Sequence, residues 1–138
     1  MKIDFQNEDI AKGVLDNSHT IAIVGLSNKP DRASYKVASY LKEHGYKIVP
    51  VNPQIDSVLG EKSYPDLLSV PDKIDIVDIF RKSEDVGPIV EQAIIKGAKT
   101  VWMQLGIINE EAAIRASAAG LNTLMDLCLK IEHQKFDS

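Results

Sequence analysis

The chain has 138 residues, 44% of them hydrophobic, which suits one domain with a genuine core. Its formal charge of -4 provides no basic field to hold a nucleic-acid backbone, and its single cysteine, Cys128, excludes an internal disulfide or a four-ligand zinc cluster. The apolar runs are too short to cross a bilayer and no apolar signal segment follows Met1, so the expected address is the cytoplasm, with no membrane partner.

Short apolar runs alternate with longer stretches of helical period, the pattern of βα units closing on a parallel sheet. Residues 7–16 predict an amphipathic lead-in helix with Ile10, Val14 and Leu15 on one face. Residues 20–25 read as a buried first strand. Residues 34–45 then form a helix with Val37, Ala38 and Leu41 inward and Gly45 as its stop. The second strand covers 46–51 and ends against Pro53. From 54 to 72, two prolines and a glycine interrupt the pattern, predicting an irregular excursion with a short strand near Val58 or Lys62. A third strand at 74–80 leads to Ser83, a candidate N-cap for a helix running to Gly97 with Pro88 in its first turns. Residues 100–105 form the fourth strand, Asn109 caps a helix through Ala119, Gly120 ends it, and a fifth strand occupies 121–125. The remainder reads as a tail. The expected architecture is α/β: a single Rossmann-like domain whose mostly parallel sheet, five-stranded or slightly larger, carries helices on both faces. Right-handed crossovers would gather the strand-end loops on one edge, where a ligand should sit.

The first of those loops runs from Gly25 to Ser34 and invites comparison with the dinucleotide fingerprint. That fingerprint needs a second glycine for close approach of a pyrophosphate and a third for helix packing, yet Ser27 and Pro30 hold those positions. At the end of the second strand, where an NAD site would offer a carboxylate to the ribose, this chain has Val51-Asn52-Pro53. Both points argue against NAD. What remains suits a phosphorylated nucleotide: Ser27 brings a hydroxyl, Lys29 and Arg32 bring positive charge, and the next helix aims its N-terminal amides at the same space. Plainer roles compete for each residue. Gly25 could serve a tight turn, Lys29 and Arg32 could be solvated, Phe80 could pack in the core, and Arg81 could pair with Asp78 or Glu84.

Several loops match one family together. Gly25-x-Ser27-x-x-Pro30-x-Arg32-x-Ser34, Gly45-Tyr46, Pro50-Val51-Asn52-Pro53, Asp75-x-x-Asp78-x-Phe80-Arg81 and Trp102-x-Gln104-x-Gly106 resemble the CoA-binding domain proteins, relatives of the nucleotide-binding domain in the succinyl-CoA synthetase α subunit. The similarity runs from about Ile10 to His133. The resemblance implies coenzyme A or a short acyl-CoA across the strand ends. Gly25, Ser27, Lys29, Pro30, Arg32 and Ser34 would then serve the phosphates and ribose, and Val51, Asn52 and Pro53 the adenine side. Phe80, Arg81, Gln104, Leu105 and Gly106 would line the path toward the pantetheine.

The same resemblance implies no catalysis, since the synthetase's phosphorylated histidine lies outside this domain. His19, His44 and His133 fall outside the predicted strand-end loops, and surface or capping roles suit them. Cys128 sits among apolar neighbours that suggest a buried thiol with a raised pKa; a mixed disulfide with CoA is its competing role. Neither the acidic residues Asp4, Glu8 and Asp9 nor the pair Glu110-Glu111 forms a paired-carboxylate site. A second function class stays open: a small NAD- or nucleotide-dependent oxidoreductase or acyl-transfer subunit completed by a partner, favoured only by the fold. A regulatory protein ranks last for want of a DNA-binding segment. The expected assembly is a monomer or homodimer.

Overall fold

The computed structural model describes residues 3–137. Its elements run α1 (Glu8–Asn17), β1 (Thr20–Val24), α2 (Ala33–Glu43), β2 (Lys47–Val51), β3 (Ser57–Val58), β4 (Glu61–Lys62), β5 (Ile76–Ile79), α3 (Val86–Lys96), β6 (Thr100–Met103), α4 (Glu110–Ala118), β7 (Asn122–Leu124) and α5 (Leu129–Phe136). The main sheet has five strands in the order β2-β1-β5-β6-β7, all parallel. This is the expected Rossmann-like α/β architecture. Strand alternation divides the core in two. Ile21, Ile23, Ile48, Ile76 and Trp102 face α1, α2 and α5, while Ala22, Val24, Val77, Ile79 and Met103 face α3 and α4.

One side chain breaks this apolar pattern. Asp78, on the central strand β5, lies between Ile23 and Trp102 in register and is fully buried. Neither of its carboxyl oxygens has a hydrogen-bond partner among the described residues. Burial pushes its pKa well above the usual carboxylate range.

Asn7 caps α1 as a helix start requires, its Oδ1 accepting from the Ile10 amide at 3.0 Å. Ala11, Val14 and Leu15 form the buried face; Ile10, expected there, is exposed. At 100° per residue Ile10 lies roughly 90° from the centre of that face, which takes it off the sheet. The 54–72 excursion contains strands at both expected positions, since β3 and β4 pair as a hairpin. Leu59 (φ 54) and Gly60 (φ 75) make its two-residue turn, with the positive φ values that a twisted hairpin favours. Lys42 on α2 pins the hairpin, bonding the Leu59 carbonyl and Glu61. The chain then returns along the outer side of β2: the Tyr64 amide donates to the Pro50 carbonyl (3.0 Å) and the Asn52 amide to the Tyr64 carbonyl (2.8 Å). Pro50 is tolerated because β2 is an edge strand.

Three sequence expectations need correction. The supposed tail forms α5, a helix whose N-cap residue is Cys128 rather than a recognisable capping residue, so its start signal is missing. Ser83 does not cap α3. It opens a 3-10 turn, its Oγ accepts from the Ile108 amide (3.0 Å), its carbonyl accepts from Asn109 (2.9 Å), and Asp85 takes the cap position. Four strands stop short of their expected ends, β1 at Val24, β5 at Ile79, β6 at Met103 and β7 at Leu124, because pairing ends where the loops diverge.

At the amino edge, Asp75 Oδ2 accepts from the His19 and Thr20 amides (2.8 and 2.9 Å) and Lys99 lies 3.4 Å from Oδ1. Burial pushes the Asp75 carboxyl up, but the two amides and Lys99 together outweigh it and hold its pKa below the usual value. A depressed pKa means stability present above the unfolded pKa of about 4 and lost as the pH falls through the folded value. Asp75→Ala should therefore cost about 1–2 kcal/mol at pH 7 and less at pH 3, measured by urea denaturation at both values.

Candidate functional site

Along the chain β1 is followed by β2 on one side of it, whereas β5 lies on the other, so the carboxyl ends of β1 and β5 flank the point where the strand order reverses. Gly25 leaves β1 there with φ +89, and its amide donates to the Val51 carbonyl at 2.9 Å. A Cβ at this position would fall 2.6 Å from the Phe80 carbonyl oxygen and 3.0 Å from Arg81 Cδ. Gly25 thus lets the ends of β1 and β5 approach.

The loop that follows is held by its own polar groups. Ser34 Oγ accepts from the Ser27 amide (3.0 Å), Ser27 Oγ from the Lys29 amide (3.1 Å), and the Lys29 carbonyl from the Arg32 amide (3.0 Å). Lys29, Pro30 and Arg32 stay exposed. Arg32 is the N-cap residue of α2 but supplies no side-chain acceptor, which leaves the first-turn amides without a side-chain cap and two cations beside them.

Asn52 ties the second loop to the first. Its Nδ2 donates to the Leu26 carbonyl (3.0 Å), its Oδ1 accepts from the Gln54 amide (2.9 Å), and its carbonyl accepts from Ser63 Oγ (2.9 Å). At the end of β5, Phe80 is half-buried against the α1, α2 and α5 side, while Arg81 lies about half exposed with Nη2 3.8 Å from Asp85. Arg81 pairs with neither Asp78 nor Glu84, and an exposed pair at that distance contributes little. A cavity of about 230 Å³ brings Gly25, Val51, Asn52, Pro53 and Arg81 together. Leu67 and Ile89 also line it, as do Asp66 and Gln92; the sequence did not single these out, because two come from the excursion and two from a helix flank. A larger groove of about 560 Å³ lies between α3 and α4, but an Arg115–Glu91 ion pair (3.2 Å) spans those helices and no strand end opens into it. Position at the strand ends, rather than size, favours the smaller cavity.

The β6 end departs most from expectation. Gln104 is buried, its Oε1 accepting from the Leu129 amide at 3.2 Å, so it caps α5 instead of facing the loops. Leu105 is 62% exposed, and Gly106, with φ +86, donates its amide to Asp126 Oδ1 at 2.7 Å. Cys128 is half-buried, not buried, at the start of α5. The histidines lie away from these loops. His44 ends α2, donating from Nδ1 to the Tyr40 carbonyl (2.7 Å) and stacking on the Tyr40 ring at 4.0 Å. Tyr40 Oη and His133 Nδ1 share a 2.7 Å hydrogen bond that fastens α5 to α2. His19 precedes β1 at the opposite edge. Among the described residues no group of three His, Cys, Asp or Glu side chains could hold a metal ion, and no helix is long and apolar enough to cross a membrane.

The model of a known family, the CoA binding domain, matches residues 19–134. This chain belongs to the CoA-binding domain family. The match leaves out α1, which the sequence resemblance had reached into. The uncharacterized protein YneT of Bacillus subtilis is 42% identical to this CoA-binding domain over 122 residues, covering 88% of this chain and 90% of YneT. The ADP-forming acetate–CoA ligase II of Archaeoglobus fulgidus is 32% identical over 82 residues, which span 58% of this chain but only 12% of the ligase. Among solved structures, a hypothetical protein from Pyrococcus horikoshii OT3 superposes with a TM-score of 0.93 at 41% identity, covering 100% of both chains.

Proposed function

We propose that this domain binds coenzyme A, free or carrying a short acyl group, across the carboxyl edge of the sheet, and performs no chemistry of its own. The observation that carries this reading is the convergence of Gly25, Val51, Asn52, Pro53 and Arg81 on one cavity where the strand order reverses. The open N-terminus of α2, flanked by Lys29 and Arg32, suits the phosphates. Ser27, Pro30 and Ser34 shape the loop that holds those cations in place, and Val51 to Pro53 form a wall suited to the adenine. Phe80 and Arg81, with Leu105 and Gly106 beyond them, mark the direction of the pantetheine. The hydroxyls of Ser27 and Ser34 at this edge accept from loop amides, which suits a binding role.

The test is a thermal-shift titration of the full chain with CoA, ADP and NAD, alongside an Arg32→Ala variant whose side chain is exposed. Ligand at 100 times its dissociation constant should raise the melting temperature by roughly 5–10 °C. CoA should give that rise, ADP a smaller one and NAD none, and Arg32→Ala should blunt the CoA response. Stabilisation by NAD alone, or none by CoA, would overturn the assignment.

A further inference from the structure

A second cavity, of about 410 Å³, opens at the far end of the same sheet edge, beyond β7. Phe5 and Met125 form its floor, with Ile3 and Ile108 on its walls, and Asp4, Gln6, Glu110 and Asp126 supply the polar part of its lining. The N-terminal segment makes one wall and is fixed there: the Met125 amide donates to the Phe5 carbonyl (2.9 Å), and Gln6 Nε2 donates to the Asp126 carbonyl (3.2 Å). Ile3 and Ile108 are 47% and 49% exposed, so the apolar surface is open to an incoming group.

Two further observations say what enters it. First, this cavity and the one at the β1–β5 reversal lie on the same side of the sheet, for Phe5 and Met125 belong to the same core layer as Val24, Val51 and Leu67. Second, the edge between them carries an exposed apolar side chain, Leu105, which follows β6 and is 62% exposed. From β1 to β7 is three strand spacings, about 14 Å, a reach of the order of an extended pantetheine arm. A CoA that runs from the cavity at the β1–β5 reversal along this edge would therefore carry its thioester toward Phe5 and Met125.

We infer that this second cavity is an acyl subsite, and that the preferred ligand is the thioester of a short, uncharged acyl group. The inference rests on the CoA-binding reading above and adds the identity of the group carried. An apolar chain of three or four carbons gains by leaving water against Phe5, Met125 and Ile108. A carboxylate-terminated chain brings a negative charge among Asp4, Glu110 and Asp126, where repulsion opposes it.

Titration calorimetry of the full chain with CoA, butyryl-CoA and succinyl-CoA tests this. Each buried methylene contributes a factor of about four, so burial of the last two carbons of the butyryl chain should make butyryl-CoA bind about fifteenfold more tightly than CoA. Succinyl-CoA should bind more weakly than butyryl-CoA by at least as much. Ile108→Glu, at a half-exposed position the fold tolerates, should bring the butyryl-to-CoA affinity ratio down to about one, with a circular dichroism spectrum showing that the protein is folded. In an Asp4→Asn, Glu110→Gln double variant, succinyl-CoA should gain relative to CoA. Equal binding of CoA and butyryl-CoA, with a ratio that Ile108→Glu does not move, overturns the acyl subsite and leaves CoA binding standing. Failure of every CoA species to bind overturns both.

Discussion

Gly25→Ala should destabilise the protein by at least about 3 kcal/mol, lowering the melting temperature by roughly 10 °C in the absence of any ligand. Two penalties act together. A φ of +89 strains any residue with a Cβ, and the added carbon would meet the Phe80 carbonyl oxygen at 2.6 Å. A flexible side chain could swing away; this oxygen belongs to the backbone just after β5, whose Phe80 amide is itself bonded to the Val24 carbonyl at 2.9 Å. Relief requires β1 and β5 to part at their carboxyl ends, where Arg81 and Asn52 line the cavity. CoA affinity should fall with stability. Gly13→Ala supplies the control, because Gly13 lies inside α1 with nothing within 4 Å of a Cβ. That change should stabilise the protein by roughly 0.5–1 kcal/mol. Chemical denaturation of the two variants side by side decides the matter, and equal effects would show that Gly25 is not under steric constraint.

Asp78→Val should act in the opposite direction and raise stability at pH 7 by about 2–3 kcal/mol. A carboxyl with no partner among Ile23, Trp102 and the helices beyond keeps the whole desolvation penalty, whereas valine suits both the strand and the apolar layer. The pH dependence identifies the cause. Because burial raises the folded pKa, the favourable state is the protonated one. Stability attached to Asp78 is fully present below the unfolded pKa of about 4 and is lost as the pH climbs toward the raised folded value. The gap between Asp78→Val and the parent should therefore widen from pH 4 to pH 7. Asp78→Asn, which keeps the shape but cannot ionise, should remove the slope while retaining part of the unsatisfied polar burden. Parallel pH profiles of parent and Asp78→Asn would mean that Asp78 has the same pKa folded and unfolded, so that burial does not raise it.

The central sheet was legible because its strands are buried on both faces and read as continuous apolar runs between helical segments. Asn109 was legible as a cap for the same local reason, its Oδ1 accepting from the Ala112 amide at 3.0 Å. Elements whose start depends on distant groups were not. The first amide of α5 is satisfied by Gln104, 25 positions earlier, and no local pattern encodes that partnership. Ser83 misled for a related reason: its hydroxyl serves the loop after β6 instead of the helix beside it. In the site, Gly25 and Arg81 could be marked from strand-end position, whereas Asn52 was marked by the family resemblance. Leu67 and Gln92, whose Oε1 accepts from the Leu67 amide at 3.1 Å, come together only once the excursion folds back over α3.

The return of the chain past Pro50 bears on how the molecule can meet a copy of itself. Tyr64 occupies hydrogen-bonding groups that β2 would otherwise offer to another strand, and Pro50 contributes no donor there. At the opposite margin β7 is only three residues long, and Met125, the next residue, is already joined to Phe5. Neither margin is a template for extending the sheet into a neighbouring molecule. Edge-to-edge aggregation is disfavoured at both ends, and a homodimer of this protein would have to be built from helix surfaces or from the loops that face the ligand.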